Sequence, residues 1–229
     1  MPDPPSHSEA SQRAPEPERY PGYDVLTKRH SPSWNEKTRR VIAERLRTPR
    51  EPRFFNVHEI DTVRAIAARV TPQPVHRPAI PVAELVDHKL HSGRQDGYRA
   101  ADMPREREAW RRGIKALDAE SHAAYGKAFR ELGAAEQDAL FRLMERGDLS
   151  DPAWGGMPAK TFFNQRLLTD IVDAYWSYPT AWSEMGYGGP ASPRGYVRMG
   201  YGERDSWEPA EAHGGDLEAV RRINERVGE

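Results

Sequence analysis

The sequence predicts an all-α protein: a single helical domain of about six to eight helices, with an extended arm before it and a long irregular segment near its end. Three observations carry that prediction. Apolar residues recur at helical spacing through the middle of the chain. No stretch keeps the period-2 alternation of a half-buried strand over any length. Proline and glycine punctuate the periodic runs at the places where helices end.

Residues 1–33 hold seven of the 20 prolines among Ser, Glu and Arg. Such a stretch buries too little apolar surface to offset its ordering entropy, so it reads as a flexible or partner-wrapping arm. A helix and linker occupy 34–53, the helix running from about Ser33 to Arg47 and stopped by Thr48-Pro49 and Glu51-Pro52. Asn56 with Glu59 has the spacing of a capping box, and Val57, Ile60, Val63, Ile66, Ala67 and Val70 form one apolar face behind it. Thr71-Pro72 ends that helix. Pro81 opens the next at a first-turn position, with Val82, Leu85, Val86 and Leu90 inward and Gly93 beyond its end.

Further helices are read over 104–118, with Trp110, Ile114 and Leu117; over 121–132, with Tyr125, Phe129 and Leu132, ending at Gly133; and over 134–146, closed by Gly147. Residues 158–177 carry Phe162, Phe163, Leu167, Leu168, Ile171, Val172, Tyr175 and Trp176 around most of the helix circumference, which predicts a central position in the core. From Tyr178 to Pro209 the periodicity vanishes, and six Gly and four Pro stand among aromatic residues. Disordered chain is poor in aromatics, so this stretch is expected to be ordered against something. A last amphipathic helix in 208–229 carries Leu217, Val220, Ile223 and Val227.

Composition excludes several classes of chemistry. The 229 residues contain no cysteine, which removes disulfides, thiolate nucleophiles and cysteine-held clusters. A formal charge of −1 argues against nucleic acid as a partner. No apolar run approaches the roughly 20 residues of a membrane span. Residues 1–33 lack an apolar h-region, and Arg39-Arg40 is followed by a charged amphipathic stretch and not by the apolar core of an export signal.

Glu84, His88 and His91 lie near one helical face, as a carboxylate–histidine metal site needs, and His58 with Asp61 makes a similar pair. Leu85, Val86 and Leu90 claim the inward face of that helix, so the reading is a solvated polar face, with a metal-dependent enzyme as the alternative. Gly186-Tyr187-Gly188-Gly189-Pro190 lacks the Lys-Ser/Thr of a P-loop and the preceding strand of a dinucleotide fingerprint. Those glycines are read as backbone turns between packed rings. No serine nucleophile elbow is present. Arg194 and Arg198, among Tyr187, Tyr196 and Tyr201, fit an Arg–aromatic contact surface or the pinning of the loop to its own domain.

Phe54-Phe55-Asn56, Glu59-Ile60, Val70-Thr71-Pro72, Gly113 with Ala116-Leu117-Asp118, and Gln137-Asp138-Ala139-Leu140 form a familiar series. Phe162-Phe163, Asp170, Ala174-Tyr175-Trp176-Ser177-Tyr178-Pro179, Trp182 and Gly186-Tyr187-Gly189-Pro190 complete it. Over about 54–207 the chain resembles the gluconate 2-dehydrogenase subunit 3 family. The resemblance implies a small helical subunit that holds no redox cofactor. It implies pairing with a large FAD-dependent oxidoreductase of the glucose–methanol–choline type, acting on CH–OH groups of a sugar or sugar acid, with a cytochrome as a further partner and electron acceptor. Such a subunit is not catalytic alone; a free-standing adaptor domain is the other alternative. Trp176, Tyr178, Pro179, Trp182, Tyr187, Gly189, Arg194, Tyr196 and Arg198 are the residues expected to bind the partner. Members of the family carry a twin-arginine signal. Without one in residues 1–33, a cytoplasmic complex is expected, or a periplasmic one exported with a signal-bearing partner.

Overall fold

A computed structural model describes residues 18–48, 51–191, 207–213 and 216–227. Among them are eight α-helices and no strand, so the all-α class holds. The chain divides into two compact units, Met1–Ile42 with Pro179–Glu229 and the contiguous Ala43–Tyr178. The division falls inside the 54–207 stretch that the sequence reading treats as one domain.

In the contiguous unit, α2 (Val57–Val70) begins with the capping box its sequence announces. The Asn56 side chain accepts from the Glu59 N–H, and the Glu59 carboxylate accepts from the Asn56 N–H, both at 2.9 Å. Just before it, buried Asp87 on α3 (Val82–Ser92) accepts the N–H groups of Arg53, Phe54 and Phe55 at 2.8–2.9 Å. One carboxylate thus satisfies a turn that has no regular structure of its own. The turn delivers Phe55 to the core, where edge-on aromatic contacts run from Phe55 to Trp110 and on to Phe162.

Residues 106–125 form one helix, α4 (Glu106–Tyr125), where the sequence reading has a break near residue 119 and a second helix to residue 132. Nothing between Asp118 and Ser121 breaks a helix, and the stop comes at Gly126, whose φ of 70° closes the last turn. Tyr125 consequently lies at the exposed end of α4, while Phe129 is buried from a 3-10 turn, its N–H held by the Asp118 carboxylate at 2.9 Å. After this turn comes α5 (Ala134–Arg146), ended by Gly147 as expected.

The helix over 159–177 has three parts: α6 (Ala159–Phe162), a π turn (Phe163–Leu167) and α7 (Leu168–Ser177). The π turn adds a residue to the coil, and neighbouring pairs, Phe162-Phe163 and Arg166-Leu167, are all buried. Beyond it the apolar circumference is not wholly inward: Ile171 and Tyr175 are buried, whereas Val172 and Trp176 are exposed. Gly113 in mid-α4 admits this helix. A Cβ there would stand 2.2 Å from Cζ of Phe162.

Polar groups fix the same helices. The Asp170 side chain, fully buried, accepts from Trp110 Nε1 at 2.6 Å and Lys89 Nζ at 2.8 Å, with Arg166 at 3.3 Å. Lys89 also pairs with Asp96, and Arg166 with Asp96 and Glu106. Burial opposes the charge on Lys89, but hydrogen bonds to Asp170 and Asp96 outweigh it and raise the lysine pKa. Burial likewise acts to raise Asp96, and the hydrogen bonds from Lys89 and Arg166 prevail, holding its carboxyl below the usual range.

The other unit is assembled from distant parts of the sequence. Residues 18–33, expected to lie in a flexible or partner-wrapping arm, pack within the chain; residues 1–17 lie outside the described residues. A 3-10 helix (Val25–His30) is capped by Asp24, and Tyr23, Val25, Lys28 and Trp34 are buried. The Val25 N–H donates to Ser183 Oγ at 3.1 Å and Lys28 Nζ to the Gly188 carbonyl at 3.0 Å. Near the chain's end, the buried Asn224 amide donates to the Pro21 and Ala210 carbonyls at 2.9 and 3.0 Å. Asn224 closes α8 (Leu217–Asn224), whose apolar face is divided: Leu217 and Ile223 are exposed, and Val227 just beyond is buried. The short α1 (Glu36–Arg45) contributes Ile42 as its buried apolar residue.

Two measurements check this architecture. Gly113→Ala should lower stability by about 1–3 kcal/mol in urea denaturation, because overpacking against Phe162 exceeds the helix-propensity gain of alanine; an unchanged midpoint would contradict the close approach. In the polar cluster, the depressed Asp96 value makes its contribution full above about pH 4 and lost as pH falls through the folded-state pKa. The raised Lys89 value makes its contribution full below about pH 10 and lost as pH rises through its folded-state pKa. Stability measured against pH should therefore fall on the acid side, and Asp96→Asn should flatten that limb; an identical acid limb in the variant would refute the role of Asp96.

Candidate partner-binding surface

The residues expected to bind a partner divide by exposure. Trp176 stands one helical turn after Val172 on α7, and the two are 37% and 36% exposed. Its ring meets Tyr175 edge-on at 5.0 Å, so the exposed indole has a fixed support. Tyr178 ends α7 with extended backbone, and the change of direction before Pro179 follows from the restriction proline places on its predecessor. The Tyr178 hydroxyl is 3.4 Å from the Leu46 carbonyl, and partial burial raises its pKa.

Pro179 starts a 3-10 turn (Pro179–Ser183), and it is buried together with Trp182. The Tyr187 N–H donates to the Trp182 carbonyl at 2.9 Å, and the two rings meet edge-on at 5.4 Å. That loop displays Met185 and Tyr187, 46% and 41% exposed. Gly186 and Gly189, both at φ 69°, lie against rings: a Cβ at Gly186 would stand 2.3 Å from Tyr20, and one at Gly189 2.9 Å from Trp34. The glycines serve as turns between packed rings, as the sequence suggests. The space that a phosphate would need beside them is filled by aromatic side chains, so this loop does not fit a dinucleotide.

Of the expected set, then, Trp176 and Tyr187 offer surface, Tyr178 is half-buried, and Pro179, Trp182 and Gly189 hold their segment to its own unit. Arg194, Tyr196 and Arg198 lie outside the described residues. The sequence reading passed over Val172 and Met185 as surface residues. Val172 follows Ile171 among apolar residues at helical spacing and looks like core until the π turn changes the register; Met185 had no signal beyond its position in the loop.

The histidine cluster does not assemble. Glu84 is taken by Arg64 at 2.7 Å, and His88 Nδ1 lies 2.9 Å from an Arg53 guanidinium nitrogen. Burial and the Arg53 charge lower the His88 pKa. Among the described residues no three His, Asp or Glu side chains come together as a metal site. Nor is any described helix long and apolar enough to cross a membrane.

Comparison with curated proteins and with solved structures gives no match. The family model described as Gluconate 2-dehydrogenase subunit 3 matches residues 57–189, from the first residue of α2 to the second ring-packed glycine. That span contains all of α2, Gly113, the Asp170 cluster and the Trp182–Tyr187 loop, and it exceeds half of the chain. The chain belongs to the gluconate 2-dehydrogenase subunit 3 family, as a subunit type of a dehydrogenase complex.

Proposed function

We propose that this chain is the small, non-catalytic subunit that binds and stabilises a large FAD-dependent oxidoreductase of the glucose–methanol–choline type, acting on CH–OH groups of a sugar or sugar acid. The observation that carries the reading is a pair of exposed apolar sets, Val172 with Trp176 and Met185 with Tyr187, all inside the family-matched span. Trp and Tyr are the side chains that most often dominate interfaces, because each removes a large amphipathic surface from water at little rotamer cost. The loop glycines are filled by rings from the same chain, which supports placing the flavin in the partner. A cytochrome accepting electrons from the flavoprotein completes the proposed complex.

Affinity purification of this chain from its native host should bring down a protein with the visible absorbance of bound flavin. Trp176→Ala and Tyr187→Ala should each weaken that complex by about 2 kcal/mol, roughly 30-fold in Kd, while leaving helix content and melting temperature nearly unchanged. Recovery of the chain alone, or equal flavoprotein yield with both variants, would sink the reading. Trp182→Ala provides the contrast: as a buried indole it should cost about 3–5 kcal/mol of stability in the chain by itself.

A further inference from the structure

Phe54 is gripped from two successive turns of α4. The Arg107 and Arg111 guanidinium carbons lie 5.0 and 4.7 Å from its ring centroid, and Arg111 also donates to the Phe54 carbonyl at 3.0 Å. Lys115 follows one turn later. The three cations thus recur every four residues along a single exposed stripe, about 12 Å from first to last at the rise of an α-helix. They border an open groove of about 600 Å³ walled by Arg112 and Ala153. Its one carboxylate, Glu108, is already paired with Arg112, which also donates to the Gly155 carbonyl at 3.1 Å. Among the described residues Arg107 and Lys115 have no hydrogen-bonding or ion-pair partner. The result is a local concentration of positive charge on a chain whose formal net charge is −1.

We infer that this groove docks an acidic, extended segment of a protein partner. Side chains at alternate positions of an extended strand repeat at about 6.6–6.8 Å, close to the ~6 Å rise between successive cations of the stripe. Carboxylates at two or three alternate positions can therefore meet Arg107, Arg111 and Lys115 in register. The guanidinium groups stacked on Phe54 are held before binding, which reduces the ordering cost and favours bidentate carboxylate contacts. Single-stranded nucleic acid fits less well. Phe54 is 6% exposed and has no free face on which a base could stack, and the net charge of the chain opposes a polyanion longer than the groove. The inference goes beyond the flavoprotein reading and holds whichever protein supplies the segment.

The test is fluorescence anisotropy with the full chain and a labelled ten-residue peptide of alternating Glu and Ser. Saturable binding at low salt is expected, weakening at least tenfold as salt is raised into the screening range. The double variant R107E/K115E should bind at least tenfold more weakly with an unchanged circular dichroism spectrum and melting temperature. R142E, an exposed charge reversal on α5, should bind as the unaltered chain does. No saturable binding at low salt, or equal affinity in R107E/K115E, would overturn the inference. Tighter binding of a single-stranded oligonucleotide of the same charge would also overturn it and reassign the groove to nucleic acid. None of these measurements involves flavin or a dehydrogenase, so their failure is distinct from failure of the proposed function.

Discussion

The contiguous unit depends on the burial of one carboxylate. Asp170 has no exposed side-chain surface, and removing a carboxylate from water costs several kcal/mol unless charge and hydrogen bonds replace the lost hydration. Here the replacements come from Lys89 on α3, Trp110 on α4 and Arg166 in the π turn. Each donor fixes the azimuth of the helix that carries it. The two cations have further pairing capacity, which Asp96 and Glu106 take up. The requirement thus passes outward from a single atom pair to the loop before α4. Apolar packing alone, which is indifferent to small rotations, would specify the arrangement less tightly.

Much of the fold is legible in the sequence where a local cause decides the outcome. Asn56 with Glu59 announces the start of α2, and Gly93 and Gly147 announce the ends of α3 and α5, because caps act within one turn. Legibility fails where distant residues decide. The run through Asp118–Ser121 is one helix because its stop comes only at Gly126, just ahead of the turn that buries Phe129. The π turn has no local marker either. Its advantage is tertiary, since it lets both Phe162 and Phe163 reach the core and leaves Arg166 beside Asp170. Asp170 left only a weak trace in the sequence, since Asp173 three residues later is an acid of the same segment.

The candidate surface divides along the same line. Composition identifies the aromatic and glycine-rich stretch as special, and Trp176 just ahead of it and Tyr187 within it are exposed. Composition cannot separate an aromatic that faces outward from one that fills its own unit, and Trp182 is of the second kind. What the sequence conceals most completely is the occupant of the glycine cradles. Tyr20 and Trp34 lie more than 150 positions from the glycines they cover, in and just beyond a stretch whose proline content suggests a loose arm. The α4 cation stripe was hidden for the opposite reason. Arginine is so abundant in this chain that three residues at helical spacing stand out only when the groove beside them is visible.

That union of sequence-distant parts has a consequence for biosynthesis. The unit formed by Ala43–Tyr178 is contiguous and is complete in the nascent chain before Pro179 is added. The other unit is not: Tyr23, Val25 and Trp34 emerge early and must wait for Ser183, Gly189 and Asn224 before their contacts exist. During translation those early rings remain available to other surfaces for as long as synthesis of the intervening residues takes, several seconds or more at typical elongation rates. Closing the unit therefore behaves as a late step of folding, open to interception by chaperones or by a partner already present.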